Sequence, residues 1–182
     1  DNNGLGIDLG DDGVTPNDAC DPENGTNHLQ NYPVIASAIR RGNNIRVTGT
    51  FNSAVGPDYR LRFYGNETAD PSGFGEGERS LGEINVAVPV GCQMNFTATV
   101  PIIPSSARCV SATATDTDGN TSEFSRCVRI RSVANSFDND GQADVSIFRP
   151  SSGEWWFMRS VDGVVNAASF GTSTDRITPG DY

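Results

Sequence analysis

Apolar and polar residues alternate with a period of two through the middle of the chain. Ile45, Val47, Gly49 and Phe51 are separated by Arg46, Thr48 and Thr50, and Tyr59, Leu61 and Phe63 by Arg60 and Arg62. Leu81–Val88 carries Ile84, Val86 and Val88 at the same spacing. A strand sends successive side chains to opposite faces, so this alternation predicts half-buried β-strands. Pro33–Ala38 and Asn95–Val100 add two more. Cys109–Ala114 and Phe124–Val128 read as the arms of a hairpin turning about Asp118-Gly119.

Seven such strands within residues 32–132, separated by Gly, Pro, Asn and Asp turns, predict an all-β domain of the immunoglobulin- or fibronectin-like sandwich type. The polar stretch Gly65–Glu78 is its longest loop. Residues 1–31 form an extended segment rich in Asp, Asn and Gly, in which Leu5, Ile7 and Leu9 alternate as one short strand. A lone strand has no sheet, so this one must lie on the next domain, an upstream domain or another subunit. Residues 133–182 form a third region with strands at Ala143–Phe148, Trp155–Arg159 and Val164–Phe170, the last two joined through Asp162-Gly163. Trp155, Trp156, Phe157 and Met158 make their strand apolar on both sides, which predicts burial on both sides. Fifty residues in one sheet cannot cover both faces, so this unit requires a neighbour.

Composition sharpens this outline. The chain has 182 residues, with 20 Gly and 10 Pro, which suits short strands and turns better than helices. No run approaches the roughly 20 apolar residues of a membrane helix. Asp1-Asn2-Asn3-Gly4 lacks a basic or apolar leader pattern, so any signal peptide is expected to have been removed or to lie outside this segment. The formal charge is −10, which disfavours nucleic-acid binding and favours solubility. All 13 basic residues are Arg, so Schiff-base chemistry is excluded. His28, the single histidine, lies in a polar stretch and is expected to be a solvated loop residue.

The four cysteines, Cys20, Cys92, Cys109 and Cys127, lack the CxxC spacing of zinc sites and read as two disulfides formed in an oxidising compartment. Folding the hairpin about Asp118-Gly119 sets Cys109 almost opposite Cys127, and closing that loop stabilises by about 3 kcal/mol in the chain-entropy account. Cys20–Cys92 follows by elimination, tying the N-terminal segment to the main domain.

Two stretches resemble known families. Asn3-Gly4-Leu5-Gly6-Ile7-Asp8-Leu9-Gly10, Gly13–Asp18, Leu29–Val34, Asp70–Gly77 and Ala112–Ser125 together resemble a segment of large secreted bacterial proteins that closes a β-helix and leads into an Ig-like domain. Ala69 stands where that family has a Cys, so the family's disulfide pattern is not carried over. Phe137-Asp138-Asn139-Asp140-Gly141-Gln142-Ala143-Asp144-Val145, Ile147–Pro150, Trp155-Trp156, Phe170–Asp175 and Gly180-Asp181-Tyr182 are similar to one FG-GAP/VCBS-type repeat of integrin-like propellers. A closed propeller needs about 4–8 such blades, so one repeat cannot form one. The resemblance implies a Ca²⁺ loop with ligands at Ser136, Asp138, Asp140, the Gln142 carbonyl and Asp144, Ser136 replacing the family's Asp. Oxygen donors at alternate positions suit a hard cation. Asp116, Asp118 and Asn120, and Asp8, Asp11 and Asp12, mimic the spacing, and turn formation explains them as well.

No carboxylate pair, triad or metal-ligand set marks an enzyme, so the expected function is non-catalytic. Three classes are expected: an extracellular structural or surface protein that assembles with copies of itself, for instance as a fibre built by strand complementation; an adhesion or spacer module; and a carbohydrate-binding module using Trp155 and Trp156. The expected contact residues are Leu5, Ile7, Leu9 and Trp155–Met158, and the expected partners are other copies, surface proteins or glycans.

Overall fold

A computed structural model describes residues 4–22, 24–102, 106–138 and 140–176. It contains ten strands: β1 Val34–Arg41, β2 Asn44–Asn52, β3 Gly56–Asn66, β4 Arg79–Val88, β5 Gln93–Pro101, β6 Cys109–Thr115, β7 Val128–Arg131, β8 Val145–Arg149, β9 Glu154–Met158 and β10 Val165–Ser169. All but β7 fall on segments that the sequence pattern marks; β7 begins at Val128, the last residue of the expected arm Phe124–Val128, and among the described residues there is no α-helix. The chain is therefore all-β, with the sandwich architecture the pattern predicts. The described residues divide into two units, residues 4–38 with 44–130, and residues 39–43 with 131–176.

In the first unit seven strands run in the order β4-β3-β6-β7-β1-β2-β5, and the two outermost, β4 and β5, also pack beside each other. The layers close because the alternating rows meet. Ile45, Val47 and Phe51 of β2, Leu61 and Phe63 of β3, and Val110, Ala112 and Ala114 of β6 all have no exposed surface. Phe51 meets Tyr59 edge-on at 5.3 Å, and Phe63 tilts against Phe96 at 5.8 Å. Aromatic rings in such arrangements add attraction beyond their burial. Gly49, in the middle of β2, leaves room for the strands on either side of it: a Cβ there would collide with the Val34 carbonyl of β1 and the Phe96 ring of β5.

Both expected disulfides are present. Cys109–Cys127 spans 5.4 Å between Cα atoms and Cys20–Cys92 spans 5.0 Å. The hairpin that suggested the first is off register, however. Cys109 pairs with Arg129 in the ladder, two positions beyond Cys127. The turn itself closes between Thr115 and Thr121, and the returning chain then bonds to β6 partly through hydroxyls. Ser125 Oγ accepts from Ala112 N–H and Ser122 Oγ from Ala114 N–H, both at 2.9 Å. Side chains thus replace carbonyls, which is why no continuous strand forms over 121–126.

The expected strand at Leu5–Leu9 does not form; residues 4–13 are a series of bends. The segment instead lies on its own domain as a strap held by side chains. Glu123, 2% exposed, accepts hydrogen bonds from Leu9 N–H (3.0 Å), Thr15 N–H (2.9 Å) and the Thr15 hydroxyl (3.1 Å). A buried carboxylate needs donors of this kind. Leu9 is buried, and Leu5 and Ile7 are half-buried. Further along, Asp21 accepts from Gln30 (2.5 Å), Ser53 (2.6 Å) and Asn31 N–H (3.1 Å). Asn27, His28 and Leu29 all take left-handed φ, between 49° and 52°. That conformation costs about 1–2 kcal/mol per residue for side chains of this kind. The Thr121 N–H bonded to Asn27 Oδ1 at 2.9 Å helps hold it. His28 is exposed there, as expected of a solvated loop residue.

Replacing Glu123 with Ala strips three donors of their acceptor. It should cost about 1–3 kcal/mol and make residues 4–19 accessible to protease, with the Cys20–Cys92 bond still anchoring the chain from Cys20 onward. Denaturant midpoints and limited proteolysis read this; an unchanged cleavage pattern would rule out the latch.

Candidate functional site

The second unit holds a three-stranded antiparallel sheet in the order β10-β9-β8. Its register sorts the side chains into two faces. Met158 lies between Val145 and Val165, Trp156 between Ile147 and Ala167, and Glu154 between Arg149 and Ser169. Phe157 lies between Ser146 and Asn166, and Trp155 between Phe148 and Ala168, on the opposite side.

The second of these faces is covered. Phe137 stacks on Phe157 at 4.5 Å with the rings 18° apart and leans on Trp155 at 6.0 Å; Phe148 contacts Trp155 at 5.1 Å. The other face is open. Val145 is 64% exposed, Ile147 61%, Val165 59%, Met158 43% and Trp156 37%. The expectation that Trp155–Met158 is buried on both sides is therefore corrected: one layer covers Trp155 and Phe157, and nothing among the described residues supplies a second layer over Trp156 and Met158. Scattered exposed apolar residues are ordinary, but contiguous rows of them mark contact sites.

The two tryptophans point to opposite faces, so they do not form one flat platform. The Arg149 guanidinium lies over the exposed Trp156 ring at 5.2 Å. At the other end of the chain, Leu5, Ile7 and Leu9 belong to the strap and are engaged on their own domain.

The five residues expected to bind calcium lie in the loop before β8. Asp138 Oδ1 accepts from Asp140 N–H (3.0 Å), and Asp140 Oδ1 from Gln142 N–H (2.7 Å) and, at 3.5 Å, the Ser136 hydroxyl. Gln142 also donates its side-chain amide to Asp140 Oδ2 at 3.1 Å. Asp144, buried, accepts from Phe137 N–H (2.6 Å) and Ser160 N–H (2.8 Å). Ser160 Oγ donates to Asp140 Oδ2 at 2.8 Å, and Arg159 Nε stands 3.8 Å from Asp138 Oδ2. The donor set is thus turned onto the chain's own N–H, hydroxyl and guanidinium groups. Among the described residues no three or more His, Cys, Asp or Glu side chains converge as a metal site. Asp8 and Asp116 likewise close their own turns, accepting from Asp12 and Gly13 N–H, and from Asp118 and Asn120 N–H.

Arg159 and Ser160 are the residues that the pattern did not single out. Nothing in their local sequence marks them, because the loop they serve lies 16 or more positions earlier. Val145, Ile147 and Val165, by contrast, are legible: once Trp156 and Met158 are placed on a face, period two assigns them to it.

The loop carboxyls have a definite pH signature. The Gln142 N–H holds the Asp140 carboxyl below the ordinary range. Burial alone would raise Asp144, but N–H donation from Ser160 and Phe137 outweighs it and leaves that carboxyl lowered too. Groups lowered on folding contribute stability that is complete above the unfolded value, near pH 4, and is lost as the pH falls below it. Asp21 behaves oppositely, since burial raises it, and its protonation favours the folded strap. Amide protection factors, taken relative to the intrinsic exchange rate at each pH, should therefore fall at Phe137, Gln142 and Ser160 between pH 6 and pH 3, whereas Asn31, bonded to Asp21, keeps its protection. No protein-family model and no curated protein sequence matches this chain.

Proposed function

We propose that this chain is a non-catalytic extracellular structural module that joins copies of itself through the open face and edges of its C-terminal sheet. The observation that carries the reading is the contiguous apolar row pair Val145-Met158-Val165 and Ile147-Trp156-Ala167, left uncovered on a sheet that packs normally on its other side. β8 and β10 are the outer strands of that sheet, and among the described residues no further strand pairs with them. Open edges are templates for adding strands, and a contact that does not close on itself propagates as a filament. The resemblances to secreted bacterial surface segments point the same way.

The two disulfides indicate an oxidising environment, and no helix among the described residues is long and apolar enough to cross a membrane. A non-catalytic role is supported by the chemistry available: no lysine, a single exposed histidine, cysteines paired as disulfides, and acidic loops whose carboxylates close their own turns.

Purified chain should sediment as concentration-dependent oligomers and show extended assemblies by electron microscopy. Met158→Glu and Ile147→Lys each put a charge on the face. They should weaken association by a factor of at least about 10, given that a buried apolar side chain of this size contributes roughly 1.5–3 kcal/mol. A chain that stays monomeric at high concentration would sink the proposal.

A further inference from the structure

We infer that the acidic loop before β8 is a self-closed clasp in which the Arg159 guanidinium supplies the positive charge that a bound cation would otherwise supply. Two consecutive residues at the end of β9 meet all three of the loop's described carboxylates. Arg159 Nε faces Asp138 Oδ2 at 3.8 Å, Ser160 Oγ donates to Asp140 Oδ2 at 2.8 Å, and Ser160 N–H donates to Asp144 Oδ1 at 2.8 Å. The Asp138 side chain is only 7% exposed, and its Oδ2 has no hydrogen-bond donor, so the charge beside it is what compensates its burial. Arg159 Nε is likewise buried without a hydrogen bond, so the two atoms form a mutually dependent pair. Removing one partner of such a pair leaves the other uncompensated.

The guanidinium is placed by the β9–β10 turn rather than by chance of rotamer. Arg159 N–H bonds to the Val164 carbonyl at 3.0 Å, Gly163 N–H returns to the Arg159 carbonyl at 2.9 Å, and Arg159 Nη2 pairs with Asp162 at 3.1 Å. The loop thus takes its shape from a hairpin end that forms with the sheet. Phe137, whose ring covers Phe157 and Trp155, is held through its N–H on Asp144. The clasp therefore fixes the covered layer of the sheet, and it does so without an exchangeable ion.

The test uses the whole chain. Thermal unfolding in millimolar Ca²⁺ and in EDTA should give the same midpoint, and terbium, sensitised by Trp155 and Trp156, should show no saturable luminescence. A midpoint raised by calcium, or saturable terbium emission that calcium displaces, overturns the inference without any variant being needed. Arg159→Gln should speed amide exchange at Phe137, Gln142 and Ser160 by about tenfold or more, while exchange in strands β2 and β3 stays unchanged. Arg159→Lys, which keeps the charge, should restore much of that protection. Unaltered exchange in Arg159→Gln would show that the guanidinium does not hold the loop.

Discussion

A β-strand shows a different set of side chains to each side, so every apolar row commits its sheet to finding a cover. The two units of this chain meet that demand in different ways. In the larger one the rows of β2, β3 and β6 face each other, and Phe51, Phe63, Ile45 and Leu61 are sealed completely. Its two terminal strands, β4 and β5, lie side by side, so neither stands as an isolated border. In the smaller unit the chain spends its aromatic residues on one side: Phe137, Phe148, Trp155 and Phe157 form a layer, and the rows through Met158 and Trp156 are left facing outward.

The polar groups obey a parallel rule. A carboxylate taken out of water needs donors or a counter-charge, and this acidic chain uses both solutions to position segments that have no ladder of their own. Glu123 collects N–H and hydroxyl donors from Leu9 and Thr15 and so fastens the strap. Asp21 gathers Gln30, Ser53 and Asn31 around the strap's second half. Asp138, Asp140 and Asp144 gather the end of β9. Irregular backbone becomes ordered here because side chains perform the pairing that strands perform elsewhere.

These two rules explain which parts were legible in advance. Period-two alternation and the turn residues between its runs located the strands, because both reflect local geometry and depend on nothing distant. Pairing of Cys109 with Cys127 was also legible, although the ladder places Arg129, not Cys127, across from Cys109. The discrepancy comes from Ser122 and Ser125, whose hydroxyls replace carbonyls and shift the returning chain, an effect that spacing does not encode. Leu5-Ile7-Leu9 has the alternation of a strand but lies where side-chain bonds to Glu123 decide the path. The acidic loop was visible as a set of oxygen donors; its actual partners, Arg159 and Ser160, come from a turn fixed only once β9 and β10 pair.

The Cys20–Cys92 bond divides the strap mechanically. Ahead of Cys20 the chain is held by hydrogen bonds and modest burial, and a pull on the N-terminus would peel it away from Glu123 first. Some 15 residues released in this way give roughly 50 Å of slack at about 3.3 Å each. The extension then meets a covalent stop. From there the load bypasses residues 21–91 and enters at Cys92, in the turn between β4 and β5. The disulfide thus makes the strap a short tether of fixed length, ending on the turn that joins the two outermost strands of the sandwich.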